Sequence, residues 1–143
     1  VVAKKKRRES GQILAWAVIL LPLLLALLGL VVDSGVLWVQ FRRARWAADG
    51  AAVAAASEMD HVLFQTQGAV VLTENALSTA RHYARLNHPG LHISQVYVHS
   101  NIIYARGWVE VETAFLGLFG VPDVRISVQG RERPAWGVTQ QER

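Results

Sequence analysis

From Ile13 to Val32 the chain runs through 20 consecutive apolar residues, Gly29 among them. About 20 such residues are what a helix needs to cross a hydrocarbon core roughly 30 Å thick. A buried core helix is shorter and has a polar face. A signal peptide has a shorter apolar region followed by a small-residue cleavage site, whereas here the sequence after Asp33 stays rich in Ala, Leu, Gln and Arg, all good helix formers. The pattern predicts a basic tail over 1–12, a transmembrane helix over 13–33 and its extramembrane continuation over 34–58. A continuous helix of that extent reaches about 70 Å at 1.5 Å per residue, with Gly35 and Gly50 as the points where it can bend.

Two residues stand out, one inside the run and one just after it. Pro22 removes the hydrogen bond to the carbonyl four residues earlier, that of Val18, and bends the helix there. A membrane tolerates this where neighbouring helices satisfy the freed group. Asp33 closes the run where outer headgroups begin, either as a boundary residue or as a contact for Arg42, Arg43 or Arg45 of a neighbouring chain. Further on, "AADGAAVAAA" (47–56) leaves the helix thin, and Ala44, Ala48, Ala51, Ala52 and Ala55 share one face at i, i+3, i+4 spacing. Small residues so spaced let helix backbones approach closely. On that reading Ala51→Leu or Ala55→Leu disrupts assembly and leaves the remainder folded.

Beyond residue 58 the pattern changes. The segment 59–72 has no clear period, and Gly68 marks a break within it. Thr73 can cap a second helix, with Glu74 in its first turn and Ala76, Leu77, Ala80, Tyr83 and Ala84 on one stripe. "NHPG" (87–90) stops that helix, because Pro89 cannot continue the ladder and Gly90 tolerates positive φ. Strands follow at 92–99, 108–115 and 123–129, where apolar Val109, Val111, Val124, Ile126 and Val128 alternate with polar neighbours. Such alternation marks a sheet with one buried and one wet face. The expected fold is therefore α+β: a long N-terminal transmembrane helix continuing outside the membrane, a second helix and a small antiparallel sheet of about three strands. The head spans 59–130 and an irregular tail 131–143.

The net charge of +4 changes this picture only through its location. Lys4, Lys5, Lys6, Arg7 and Arg8 precede the apolar run, and Arg42, Arg43 and Arg45 follow it. From residue 57 onward seven Lys/Arg face eight Asp/Glu. A nucleic-acid face would spread basic residues over the folded domain, so no nucleic-acid partner is expected. The first basic block reads as the positive-inside signal, placing the N-terminus in the cytoplasm and the head outside the cell (inner) membrane. The implied partners are the lipid bilayer and other copies of the chain or other membrane subunits. Trp16 and Trp38 flank the run as interfacial tryptophans do, while subunit packing competes for Trp38 and Trp46.

No catalytic constellation emerges, and the chain is not expected to be an enzyme. The absence of cysteine removes disulfides, zinc–thiolate clusters and thiol nucleophiles. Among His61, His82, His88, His92 and His99 there is no HExxH pair, and Glu58, Asp60 and His61 crowd too short a segment to face one ion. No G-x-S-x-G, G-x-G-x-x-G or Walker loop occurs. Glu110 and Glu112, two apart on one strand, fit a wet sheet face better than a carboxylate pair. No cofactor or metal is expected.

The segment "ESGQILAWAVILLPLLLALLGLVVDSGVLWVQFRRARWAADGAAVAAA" resembles the N-terminal signature of the TadE/TadG-like proteins of tight-adherence (Flp-type) pilus assembly. The matching positions are Gly11, Pro22, Gly29, Asp33, Gly35, Gln40 and Ala47–Ala56, and they include a G-x-x-x-D-x-G element. "WVEVETAFLGLFGVPDVRISVQGR" is similar to the family's closing pattern, in which a strand leads through a Phe-and-Gly segment to a strand that pairs back. The resemblance implies a pilin-like single-pass membrane protein that acts by assembly, as a minor pseudopilin or a filament subunit. An accessory structural subunit of a larger membrane complex is the alternative. The assembly residues it implies are Pro22, Gly29, Asp33, Gly35, Ala48, Ala51, Ala52 and Ala55. Five residues after Gly11, where processed members carry Glu, this chain has Trp16, so processing after Gly11 is not expected.

Overall fold

A computed structural model of the chain describes residues 6–134. Its element order is α1 (Lys6–Ala56), α2 (His61–Gln67), α3 (Ala76–Asn87), β1 (His92–His99), β2 (Ile102–Glu112), a 3-10 turn (Leu116–Phe119) and β3 (Asp123–Glu132). The chain divides into two units, Val1–Leu37 with Glu112–Asp123, and Trp38–Val111 with Val124–Arg143. Each is described by itself below.

In the first unit α1 contains the apolar run, and the helix continues through Pro22. From Ile13 to Val32 the large side chains are exposed around the whole circumference. Among the described residues this helix is long and apolar enough to cross a membrane. Lys4 and Lys5 lie outside the described residues, and of Lys6, Arg7 and Arg8 only the helical backbone is described. The rest of this unit is the connection from β2 to β3. It closes on itself through Thr113 N–H to Pro122 O (2.9 Å), Val121 N–H to Leu116 O (3.0 Å) and the Thr113 hydroxyl to Val121 O. Gly120 turns the chain with φ 88°, a left-handed conformation that favours glycine.

The second unit is an α+β domain. Its three strands stand in the order β1-β2-β3. β1 and β2 are an antiparallel hairpin in which His99 faces Ile102 across Ser100 and Asn101. Both turn residues have positive φ, 52° and 58°, the type I′ geometry that matches strand twist. On the other side of β2, Arg125 binds Glu110 at 2.7 Å and Arg106 reaches Gln129 at 3.4 Å, pairs that only an antiparallel β3 allows. The register slips between Ile93 and Gln95, and there the Ser94 hydroxyl donates to Arg106 O. Alternation is as expected at Val109 and Val111, buried, and Glu110 and Glu112, exposed; the strand starts six residues earlier than the expected 108, at Ile102, and the same alternation buries Ile103 and Ala105. α3 packs on β1 and presents Ala76, Ala80 and Ala84 to the interior. Arg81 Nε donates to Ile93 O at 2.9 Å.

Four local expectations change. The helix cap is not Thr73: α3 begins after Asn75, and the Thr73 hydroxyl donates to Glu58 instead. Gly90 is not at positive φ; the left-handed glycines of the described residues are Gly68 and Gly120. The middle strand ends at Glu112 rather than 115, because Thr113 is already folded back on Pro122. The unassigned 59–72 segment contains α2, started by Asp60, whose side chain accepts from Val62 N–H (2.9 Å) and Leu63 N–H (3.0 Å), and ended by left-handed Gly68. Asp60→Ala removes that cap and is expected to cost the head about 1 kcal/mol, read as a lower midpoint in urea unfolding with an unchanged slope.

Candidate functional site

The residues singled out at the end of the apolar run meet the β2–β3 connection. Gly29 and Asp33 are one helical turn apart on the same face of α1. Asp33 is 2% exposed, the one buried charged side chain among the described residues. Its Oδ1 accepts from Ala114 N–H (2.9 Å), and its Oδ2 accepts from Phe115 N–H (2.9 Å) and Leu116 N–H (2.7 Å). The Phe115 and Leu116 amides are donors that the following 3-10 turn, Leu116–Phe119, leaves without partners of its own. A carboxylate is suited to the position because charge-assisted hydrogen bonds are shorter and stronger than neutral ones. Burying that charge without donors would be costly. Gly29 supplies the space: a Cβ there would overlap the ring of Phe115. The aspartate and the glycine therefore act as a clamp, one holding backbone and the other seating a ring.

The other expected assembly residues have different settings. Pro22 lies within α1 among exposed apolar side chains. Gly35 is exposed, with nothing within 4 Å of where a Cβ would stand. Ala48, Ala51, Ala52 and Ala55 are completely buried, as is Ala44. The close approach expected of this face is thus made inside the chain. A Cβ on Gly130 of β3 would overlap the carbonyl of Ala48, and Arg131 N–H donates to Asp49 Oδ1 at 3.0 Å. Leucine at Ala51 or Ala55 would overpack this interior before any neighbour felt it. On the exposed side of the helix, Trp38 and Trp46 stay open to the surroundings. Trp38 stands 6.0 Å from Phe41, and Arg42 lies over Trp46 at 5.3 Å. Glu58 and Asp60, weighed as metal ligands, serve the fold: Glu58 accepts from Thr73 and Thr79, and Asp60 caps α2. Among the described residues no group of three or more ligating side chains gathers.

The helix side of this geometry lies in the part of the chain that matches a known family. Residues 11–58 match the family described as putative Flp pilus-assembly TadE/G-like. The match spans Gly11, Pro22, Gly29, Asp33, Gly35 and the Ala-rich segment, the positions that carry the resemblance in the first block of sequence. The second block, 108–131, lies outside the matched residues. No curated protein and no solved structure matches the chain. The TadE/G-like segment thus includes the helix half of the clamp, while its partner, the 113–122 turn, comes from a region more than 80 residues later (|i−j| 81 to 83).

Sequence reasoning did not foresee Phe115 and the Ala114–Leu116 amides as the partners of Gly29 and Asp33. The available signal was joint: a small residue and a carboxylate on one helix turn, and a distant Phe-and-Gly segment in the family's closing pattern. Nothing in spacing or period links them.

Proposed function

We propose that this chain is a pilin-like, single-pass membrane protein of TadE/TadG type that works by assembly. Its role would be that of a minor pseudopilin or filament subunit of a Tad-type pilus. The observation that carries the reading is the Ile13–Val32 stretch of α1, whose large apolar side chains are all exposed, within a segment matched to Flp pilus assembly. A surface of that kind is compatible with a bilayer and with neighbouring helices, and with little else. The basic residues Lys4–Arg8 favour a cytoplasmic N-terminus, with the head outside the inner membrane. Pro22 frees a carbonyl that a neighbouring helix can satisfy, and open Gly35 allows close approach of another backbone.

The alternative reading, an accessory structural subunit in a larger membrane complex, draws on the same helix. The two differ in symmetry: a filament subunit makes heterologous contacts with its own copies, whereas an accessory subunit sits among unlike chains. Purification from native membranes separates them. Helical self-assemblies of this chain with other pilus components support the filament reading; a fixed stoichiometry with unrelated subunits overturns it.

A further inference from the structure

The clamp at Gly29 and Asp33 sets the depth of the turn it holds. Gly29 belongs to the last turn and a half of the apolar run, and Asp33 is the first residue after it. The turn reads "AFLGLFGVP" (114–122), with no charged residue. Leu118 is 79% exposed and Phe119 74% exposed, with Val121 also open. Those values match the helix beside it, where Leu28, Leu30, Val31 and Val32 are likewise uncovered. Two large side chains at the tip of one short turn form an apolar knob, continuous with the apolar surface of α1.

The backbone of the turn is prepared for a dry setting. Ala114, Phe115 and Leu116 donate to Asp33, Thr113 to Pro122 O, Leu118 to Phe115 O, Gly120 to Gly117 O and Val121 to Leu116 O. Pro122 has no N–H to place. The Thr113 hydroxyl is also used internally, on Val121 O. An irregular segment can approach hydrocarbon only where its polar groups are satisfied internally, and the amides of 113–116, 118, 120 and 121 are, which suits a turn at the hydrocarbon border.

We propose that the 115–121 turn is a second membrane contact: Leu118, Phe119 and Val121 enter the acyl-chain border of the leaflet that receives the C-terminal end of the Ile13–Val32 run. The proposal rests on the membrane reading of that run. Lipid is the occupant because the turn is tied to a helix surface that itself requires lipid at the same depth, and because the turn is uncharged throughout. Asp33 is then the residue that fixes how deep the turn sits. It satisfies three amides that would otherwise face the edge of the hydrocarbon.

The natural absence of cysteine allows single-site labelling of the full chain. Leu118→Cys, Phe119→Cys and Leu25→Cys variants, each carrying an environment-sensitive fluorophore, are placed in phosphatidylethanolamine–phosphatidylglycerol nanodiscs with plain or brominated acyl chains. The expected result is that bromination removes most of the fluorescence at positions 118 and 119, as it does at 25. Quenching at 25 with none at 118 and 119 overturns the proposal and leaves the membrane reading intact. A blue-shifted but unquenched signal at 118 and 119 means that protein covers the turn, and also overturns it. Loss of quenching at 25 removes the membrane reading, and the proposal with it.

Discussion

Asp33→Ala releases the 113–122 turn from α1. The variant leaves the amides of Ala114, Phe115 and Leu116 without their acceptor and takes away the charge that organises them. Hydrogen bonds to a charged group each contribute more than neutral ones, and unsatisfied donors add their own cost. The three bonds share one carboxylate, so their energies do not add fully. A loss on the order of 3 kcal/mol is expected. Amide exchange over 113–122 in nanodiscs should then accelerate by roughly 100-fold, since each 1.4 kcal/mol is a factor of ten. Asp33→Asn, which keeps one carbonyl oxygen and adds two donors facing donors, should fall between wild type and alanine. Gly29→Ala should loosen the same turn without touching the charge, because its methyl occupies the space of the Phe115 ring. Unchanged exchange in all three would mean that the clamp does not hold the turn.

Gly130→Ala is expected to have the largest effect on the head. The added methyl would fall on the carbonyl oxygen and carbonyl carbon of Ala48 and on the amide nitrogen of Asp49. These are backbone atoms of a helix, and the strand opposite is tied to it by Arg131 N–H to Asp49. Neither side can move without breaking its own hydrogen-bond ladder. The cost should reach about 3 kcal/mol, the upper part of the range for overpacked interiors. In detergent the melting temperature should fall by about 15 °C for a domain of this size. Gly35→Ala is the internal comparison: there the Cβ would meet nothing, and the exchange of glycine for alanine in a helix favours the helix by about 1 kcal/mol. An equal loss at both positions would contradict the close approach of β3 to α1.

What could be read in the sequence was whatever depends on local period. The apolar run fixed the long helix, alternation fixed the faces of β2 and β3, and the i, i+3, i+4 alanines marked a face that is indeed kept clear of bulk. What that face meets was not legible. Close packing of small residues is the same physical statement whether the partner is another helix or a strand of the same chain, and Ala48 meets Gly130 of this one. Asp33 posed a related problem. A carboxylate at the end of an apolar run reads as a membrane-boundary residue or an interchain contact, and its three donors lie more than 80 residues away. Backbone amides leave no trace in side-chain pattern. The α2 helix could have been found, since Asp60 and left-handed Gly68 bracket it as cap and stop, but seven residues are too few to show a period. Thr73 does not cap because α3 starts two residues later than expected, after Asn75, with the Ala76 amide on the backbone carbonyl of Thr73.

The assembly claim has its most direct test in native membranes. The full chain, carrying a small C-terminal affinity tag, is extracted in mild detergent and sized, and whatever travels with it is identified by mass spectrometry. The account predicts that it is recovered from the membrane fraction in stable association with pilus-type subunits or further copies of itself. Recovery as a monomer with no companion, or from the soluble fraction, would contradict it.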